Sequence, residues 1–97
     1  MMKRIAASLL VLGLLAAPAL AAPITDGQKA EFYKTCMGIA QNDTLCRCKA
    51  DAAPRLVDGP FFAMVVAAMR GKAPPTSQNV AYNAYIAKSN AICNPGY

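Results

Sequence analysis

The chain reads as an all-α protein, a small bundle of about four short helices stapled by two disulfides. Three observations predict this class. Apolar residues recur at three- and four-residue steps, and no stretch sustains the apolar–polar alternation of a strand. Capping residues, prolines and glycines punctuate the sequence at helix-length intervals. Four cysteines, an even number, stand in a short chain that begins like an exported one.

The opening "MMKRIAASLLVLGLLAAPALAAP" places Lys3 and Arg4 before an apolar run from Ile5 to Leu15, then Pro18 and Ala19-Leu20-Ala21. A short positive region, a greasy core and a small-x-small tripeptide form the layout of a secretory signal peptide. The core is about 11 residues, against roughly 20 needed to span a bilayer. Residues 1–21 are therefore expected to be a leader cleaved after Ala21, with 22–97 a single helical domain and no membrane span after cleavage. Without Lys3 and Arg4, eight basic residues face five acidic ones, a net charge of +3. The cations are scattered, which argues against a nucleic-acid face. A domain this small buries little apolar surface, and such chains are usually stapled.

The first helix is expected to begin at Thr25 or Asp26, either of which can accept from first-turn amides. Phe32, Cys36, Ile39 and Ala40 form its stripe, widened by Tyr33 and Met37, and Asn42-Asp43-Thr44 is the turn that stops it. A second helix runs from about Thr44. Leu45, Cys48, Ala52 and Leu56 line one side; Cys46, Ala50, Ala53 and Val57 line another. Pro54 lacks an amide hydrogen, so a kink or early end is expected there. Asp58-Gly59-Pro60 open a third helix with Phe61, Phe62, Val65, Val66 and Met69 on a broad apolar face. Gly71 closes that helix, and the linker Lys72 to Thr76 follows. Ser77 is the expected cap of a fourth helix carrying Ala81, Tyr82, Tyr85, Ile86, Ser89 and Cys93, ended by Asn94-Pro95-Gly96.

The segment "TLCRCKAD" sets Cys46 and Cys48 two residues apart. Structural zinc sites take four ligands, often as paired Cys-x-x-Cys or Cys/His sets, and this chain has one Cys-x-Cys and no histidine. Copper(I) on Cys46 and Cys48 would need reduced thiols in an oxidising compartment. Thiol redox work is the other chemical reading, because Cys46 falls in a helical first turn beside Arg47. The usual redox spacing is Cys-x-x-Cys, however, and a Cys46–Cys48 disulfide would close a strained ring. Residues two apart on a helix point about 200° from each other, so the pair faces two neighbours. Two separate staples follow, either Cys36–Cys48 with Cys46–Cys93 or Cys36–Cys46 with Cys48–Cys93. A hairpin turning at Asn42 puts Cys36 and Cys48 equally far from the turn, which favours the first pairing.

No histidine is present to act as general base. Asp26, Asp43 and Asp58 sit at expected caps, Glu31 and Asp51 stand apart, and no glycine-rich phosphate loop occurs. The sequence therefore predicts no catalytic residue, no metal and no cofactor. Phe61, Phe62, Val65 and Met69 form a candidate apolar docking surface if the small bundle fails to bury them.

The segments "LCRCKADAAPRLVDGPFFAMVVAAMRGKAPP" and "YNAYIAKSNAICNPG" resemble small secreted four-cysteine helical proteins of unknown function from Gram-negative bacteria. The likeness covers nearly all of the chain after the leader, and implies no particular activity, ligand or catalytic residue. A second likeness is to the periplasmic acid-stress chaperone family, on the apolar helix ending at Gly71-Lys72 and the late cysteine followed by "NP". Cys46 with Cys48 departs from that family's single disulfide. The expectation is an exported, periplasmic or secreted, non-enzymatic protein that binds an envelope protein or gives structural support. The alternatives are a stress chaperone for unfolded clients and a thiol redox or copper-handling protein using Cys46 and Cys48.

Overall fold

Thr25 opens the first helix with a reciprocal cap. Its hydroxyl accepts from the Gln28 amide at 3.1 Å, and the Gln28 side chain accepts from the Thr25 amide at 3.0 Å. The computed structural model describes residues 22–94, and contains four α-helices and no strand among them. The expected leader and the Pro95-Gly96 stop lie outside the described residues. Helix α1 spans Asp26–Ala40, α2 Asp43–Leu56, α3 Gly59–Met69 and α4 Asn79–Cys93, with a short 3-10 turn at Thr76–Gln78.

Each boundary has a local cause. Helix α1 closes on Gln41, whose left-handed backbone (φ 52°) returns its amide to the Met37 carbonyl at 3.1 Å. Asn42, rather than Asp43 or Thr44, caps α2 by accepting from the Leu45 amide at 3.0 Å. Asp58 caps α3 through the Phe61 amide at 2.8 Å, and Gly71 (φ 102°) follows its last turn. Two expectations differ. Helix α2 runs through Pro54 to Leu56, because that proline falls in the last turn and removes a single ladder bond; Val57 still returns to Ala53 at 3.0 Å. Ser77 caps nothing: it lies inside the 3-10 turn that leads into α4, and α4 has no side-chain cap.

Helices α1 and α2 form the central hairpin. Helix α3 returns beside α1 and α4 beside α2. Phe32 stacks on Phe62 with ring centres 5.0 Å apart, and with Cys36, Cys46, Ala50, Ala53, Val65, Val66 and Tyr85 they make the core. Exposed ion pairs span α1–α2 (Lys29–Asp51, 3.1 Å) and α1–α3 (Glu31–Arg70), so neither acid stands apart as expected. Such pairs contribute little singly. The N-terminal segment is pinned at Gly59, whose amide donates to the Ala22 carbonyl at 2.8 Å while its carbonyl accepts from Gln28 Nε2 at 2.8 Å.

Both disulfides form, but not in the favoured pairing. Cys36 bonds Cys46 and Cys48 bonds Cys93, in place of Cys36–Cys48 and Cys46–Cys93. The reason is the position of the reversal. The chain turns at Gln41, one residue before Asn42, and Cys36 and Cys46 are equidistant from Gln41. Moving the pivot by one residue moves the partner by two. The two faces of α2 therefore meet the opposite neighbours from those the Asn42 pivot implies: the Cys46–Ala50–Ala53 side faces α1, and Cys48 reaches α4.

The two staples differ in exposure. Cys46 is 0 % and Cys36 5 % exposed, whereas Cys48 and Cys93 are only half-buried. A brief pulse of a dithiol reductant quenched with an alkylating agent should give an early product labelled at Cys48 and Cys93 alone. A product labelled at only Cys36 and Cys46 would contradict that order. A second outcome concerns Gly59, where an added Cβ would lie 3.0 Å from the Pro23 carbonyl oxygen and 3.2 Å from that of Ala22. Gly59→Ala should lower stability by about 1–3 kcal/mol in denaturant unfolding; an unchanged midpoint would show that the segment yields freely.

Candidate functional site

Helix α4 is fastened to α2 and α3 packs on α1, so α3 and α4 hardly touch. They meet in an edge-to-face pair, Phe61 on Tyr85, with ring centres 6.2 Å apart. Two openings flank this seam. The outer one, about 340 Å³, is lined by Leu56, Val57, Phe61, Ala81, Ala84 and Tyr85, with Asp58 and Lys88 also on its wall. The inner one, about 160 Å³, is floored by Phe32, Cys36 and Leu45 and walled by Val65, Met69, Tyr85 and Ile86, with Lys49 beside them. Tyr85 lines both.

The seam corrects the expected docking surface. Phe62 (0 % exposed) and Val65 (1 %) are core residues, so Phe61, Phe62, Val65 and Met69 do not form one outward face. Phe61 and Met69 remain half-buried, one on the outer opening and one on the inner. The apolar surface is a crevice between helices, not a patch on one.

Its polar groups are few. Lys49 is half-buried, and its ammonium donates to Asn90 Oδ1 across the α2–α4 interface. Desolvation pulls its pKa below the ordinary lysine range, and among the described residues no carboxylate pairs with it. Lys88, on the outer opening, likewise forms no ion pair among the described residues. Asp58 is occupied by its cap. Ser89 is fully buried, and its hydroxyl has no hydrogen-bond partner among the described residues. Burial pushes the Tyr85 phenol up to about 12, and the Ser89 hydroxyl one turn away works against that rise without reaching hydrogen-bond geometry.

A separate polar cluster sits at the α1–α2 turn. Tyr33 donates its hydroxyl to Asp43, which also accepts from Arg47 Nε at 2.8 Å, and the Arg47 guanidinium lies 5.3 Å from the Tyr33 ring centre. The Tyr33 hydrogen bond, then that from Arg47, hold Asp43 below the usual carboxylate range. Asp43 and Arg47 are exposed and Tyr33 is half-buried against the core, so the cluster clasps the hairpin near its turn.

All four cysteines are bonded. Among the described residues no group of three or more His, Cys, Asp or Glu is placed to hold a metal, and no helix is long and apolar enough to cross a membrane. Sequence reasoning missed Lys49, Asn90 and Lys88. The one available signal was a long cation set between Cys48 and the alanines of an interface helix. No family model matches the chain, and no curated protein or solved structure matches it either.

Tyr85 gives a test of how firmly the seam is closed. Its folded pKa lies above the unfolded value of 10.0, so its contribution is fully present below pH 10 and is lost as pH rises toward about 12. Spectrophotometric titration should show one tyrosine ionising last, together with unfolding, and Tyr85→Phe should remove that alkaline loss of stability. Ionisation of all tyrosines near pH 10 with the fold intact would contradict the burial.

Proposed function

We propose that this chain is an exported, non-enzymatic binding protein of the periplasm, a disulfide-fixed frame that holds its partner in the α3–α4 seam. The observation that carries this reading is the unequal fastening of the four helices. Covalent bonds tie α1 to α2 and α2 to α4, while no disulfide holds α3 and its edge-to-face contact with α4 is Phe61 on Tyr85. One wall of the crevice, α4, is covalently fixed to the α1–α2 hairpin, and α3 is held to that hairpin by packing on α1; a preformed apolar cleft with few polar groups is the usual form of a binding site. Two disulfides suit an oxidising compartment. With every sulfur bonded, a thiol mechanism at Cys46 and Cys48 would first need reduction, which would unfasten the helices it acts from.

Site-specific photo-crosslinking in a Gram-negative host, with the full chain exported, tests the reading. A photoreactive amino acid in place of Ala84, on the wall of the outer opening, should give a discrete adduct of defined mass. The same group in place of Lys34, on the exposed side of α1, should give none. Identical adducts at both positions, or none at Ala84, would contradict a seam-bound partner.

A further inference from the structure

We propose that the seam takes a single-chain, medium-length fatty carboxylate, with its tail in the inner opening and its head at Lys49 and Asn90. The inference rests on the seam being the binding surface, and adds what it binds.

The inner opening supplies the first half of the argument. Its walls are Phe32, Leu45, Val65, Met69 and Ile86 with the Tyr85 ring, and no acidic residue lines it. At about 160 Å³ it is smaller than the roughly 300–1,000 Å³ clefts that take drug-sized ligands. That space takes the terminal part of one narrow aliphatic tail and is too small for a two-tailed phospholipid. An apolar chain entering it leaves water at roughly 0.8 kcal/mol for each buried methylene.

Lys49 supplies the second half. A partly desolvated ammonium is satisfied best by a carboxylate, because charge withdrawn from water gains most from a counter-ion or several hydrogen bonds. This one has a neutral amide, and the ion pairs on the rest of the surface go to Lys29, Arg47 and Arg70. Asn90 accepts through Oδ1, which leaves its Nδ2 hydrogens without a protein acceptor in the described residues. An ammonium and an amide N–H₂ side by side are donors for one carboxylate, and a charge-assisted bond of that kind is about twice as strong as a neutral one. Lys49 itself lines the inner opening, and Asn90 is its hydrogen-bond partner, so head and tail sites adjoin.

The test titrates the folded chain, both disulfides intact, with decanoate and with decanol below the concentration at which decanoate forms micelles. Amide shifts are followed by NMR. Decanoate should bind about ten-fold or more tighter than decanol, with shifts at Val65, Met69, Tyr85 and Ile86. Lys49→Met should bring the two to parity, and Lys34→Met, which removes the same charge elsewhere, should not. Equal binding of acid and alcohol, or an unaffected Lys49→Met, would overturn the head site and leave the seam standing. Failure of both chains to bind while Ala84 adducts still form would overturn the fatty ligand and not the proposed function. Binding with shifts remote from the seam would overturn both.

Discussion

The fold depends on one constraint, the placement of Cys46 and Cys48 two residues apart on α2. On a helix that spacing turns the second side chain about 200° from the first, so the two sulfurs cannot serve the same neighbour. Cys46 is drawn into the core against α1, and Cys48 holds the far end of α4. In the chain-entropy account the first bridge, closing a separation of 10 residues, contributes about 3 kcal/mol, and the second, closing 45, about 4. A domain of this size has a total stability of the same order. Alanine at 50, 52 and 53 completes the arrangement, since small side chains let helices approach α2 from both sides.

The seam follows from that geometry. Helix α3 joins the body through α1, by the Phe32–Phe62 stack and the Gln28–Gly59 hydrogen bond. Helix α4 joins it through α2, by Cys48–Cys93 and Lys49–Asn90. Each outer helix is fastened on its own side, and Phe61 and Tyr85 meet between them. The consequence is a division of labour between rigid and open parts. The α1–α2 hairpin carries the buried bridge and the clasp of Tyr33, Asp43 and Arg47, while the outer helices border an apolar crevice. The more accessible bridge is also the one that closes the longer loop, so reducing agents reach first the bond whose loss costs most. An oxidising compartment is therefore a condition for the seam to exist, not only for the chain to be stable.

Much of the local structure was legible in the sequence. Thr25, Asp58 and Gly71 announce their boundaries, because caps and left-handed closures depend on residue type within one turn. The two faces of α2 were also readable, since they depend on periodicity alone. The assignment of those faces to neighbours was not, because it turned on whether the chain reverses at Gln41 or Asn42. A glutamine with positive φ carries no strong signal, unlike a glycine in that place. Ser77 misled for a related reason: a hydroxyl before an apolar run looks like a cap, yet a 3-10 turn already leads the chain into α4.

The site was less legible than the fold. Phe62 and Val65 are as apolar as Phe61 and Met69, and composition does not say which pair enters the core and which borders a crevice. That depends on the direction from which α1 approaches α3. Lys49 did not stand out because its setting comes from what it lacks among the described residues, a paired carboxylate, and from an amide 41 residues away in sequence.

The positions of lysine and arginine let proteolysis read the disulfide connectivity directly. Trypsin cuts after Lys34, Arg47, Lys49 and Lys88, which separates Cys46 from Cys48 and leaves Cys36 with Cys46 on one peptide. Digestion of the unreduced protein, purified from its native compartment, should release residues 35–47 as a single peptide two hydrogens lighter than its reduced form. Residues 48–49 should appear joined to the C-terminal peptide that carries Cys93. One species joining all three peptides, or free thiols at Cys46 and Cys48, would contradict the account, because α2 would no longer hold a different neighbour on each side.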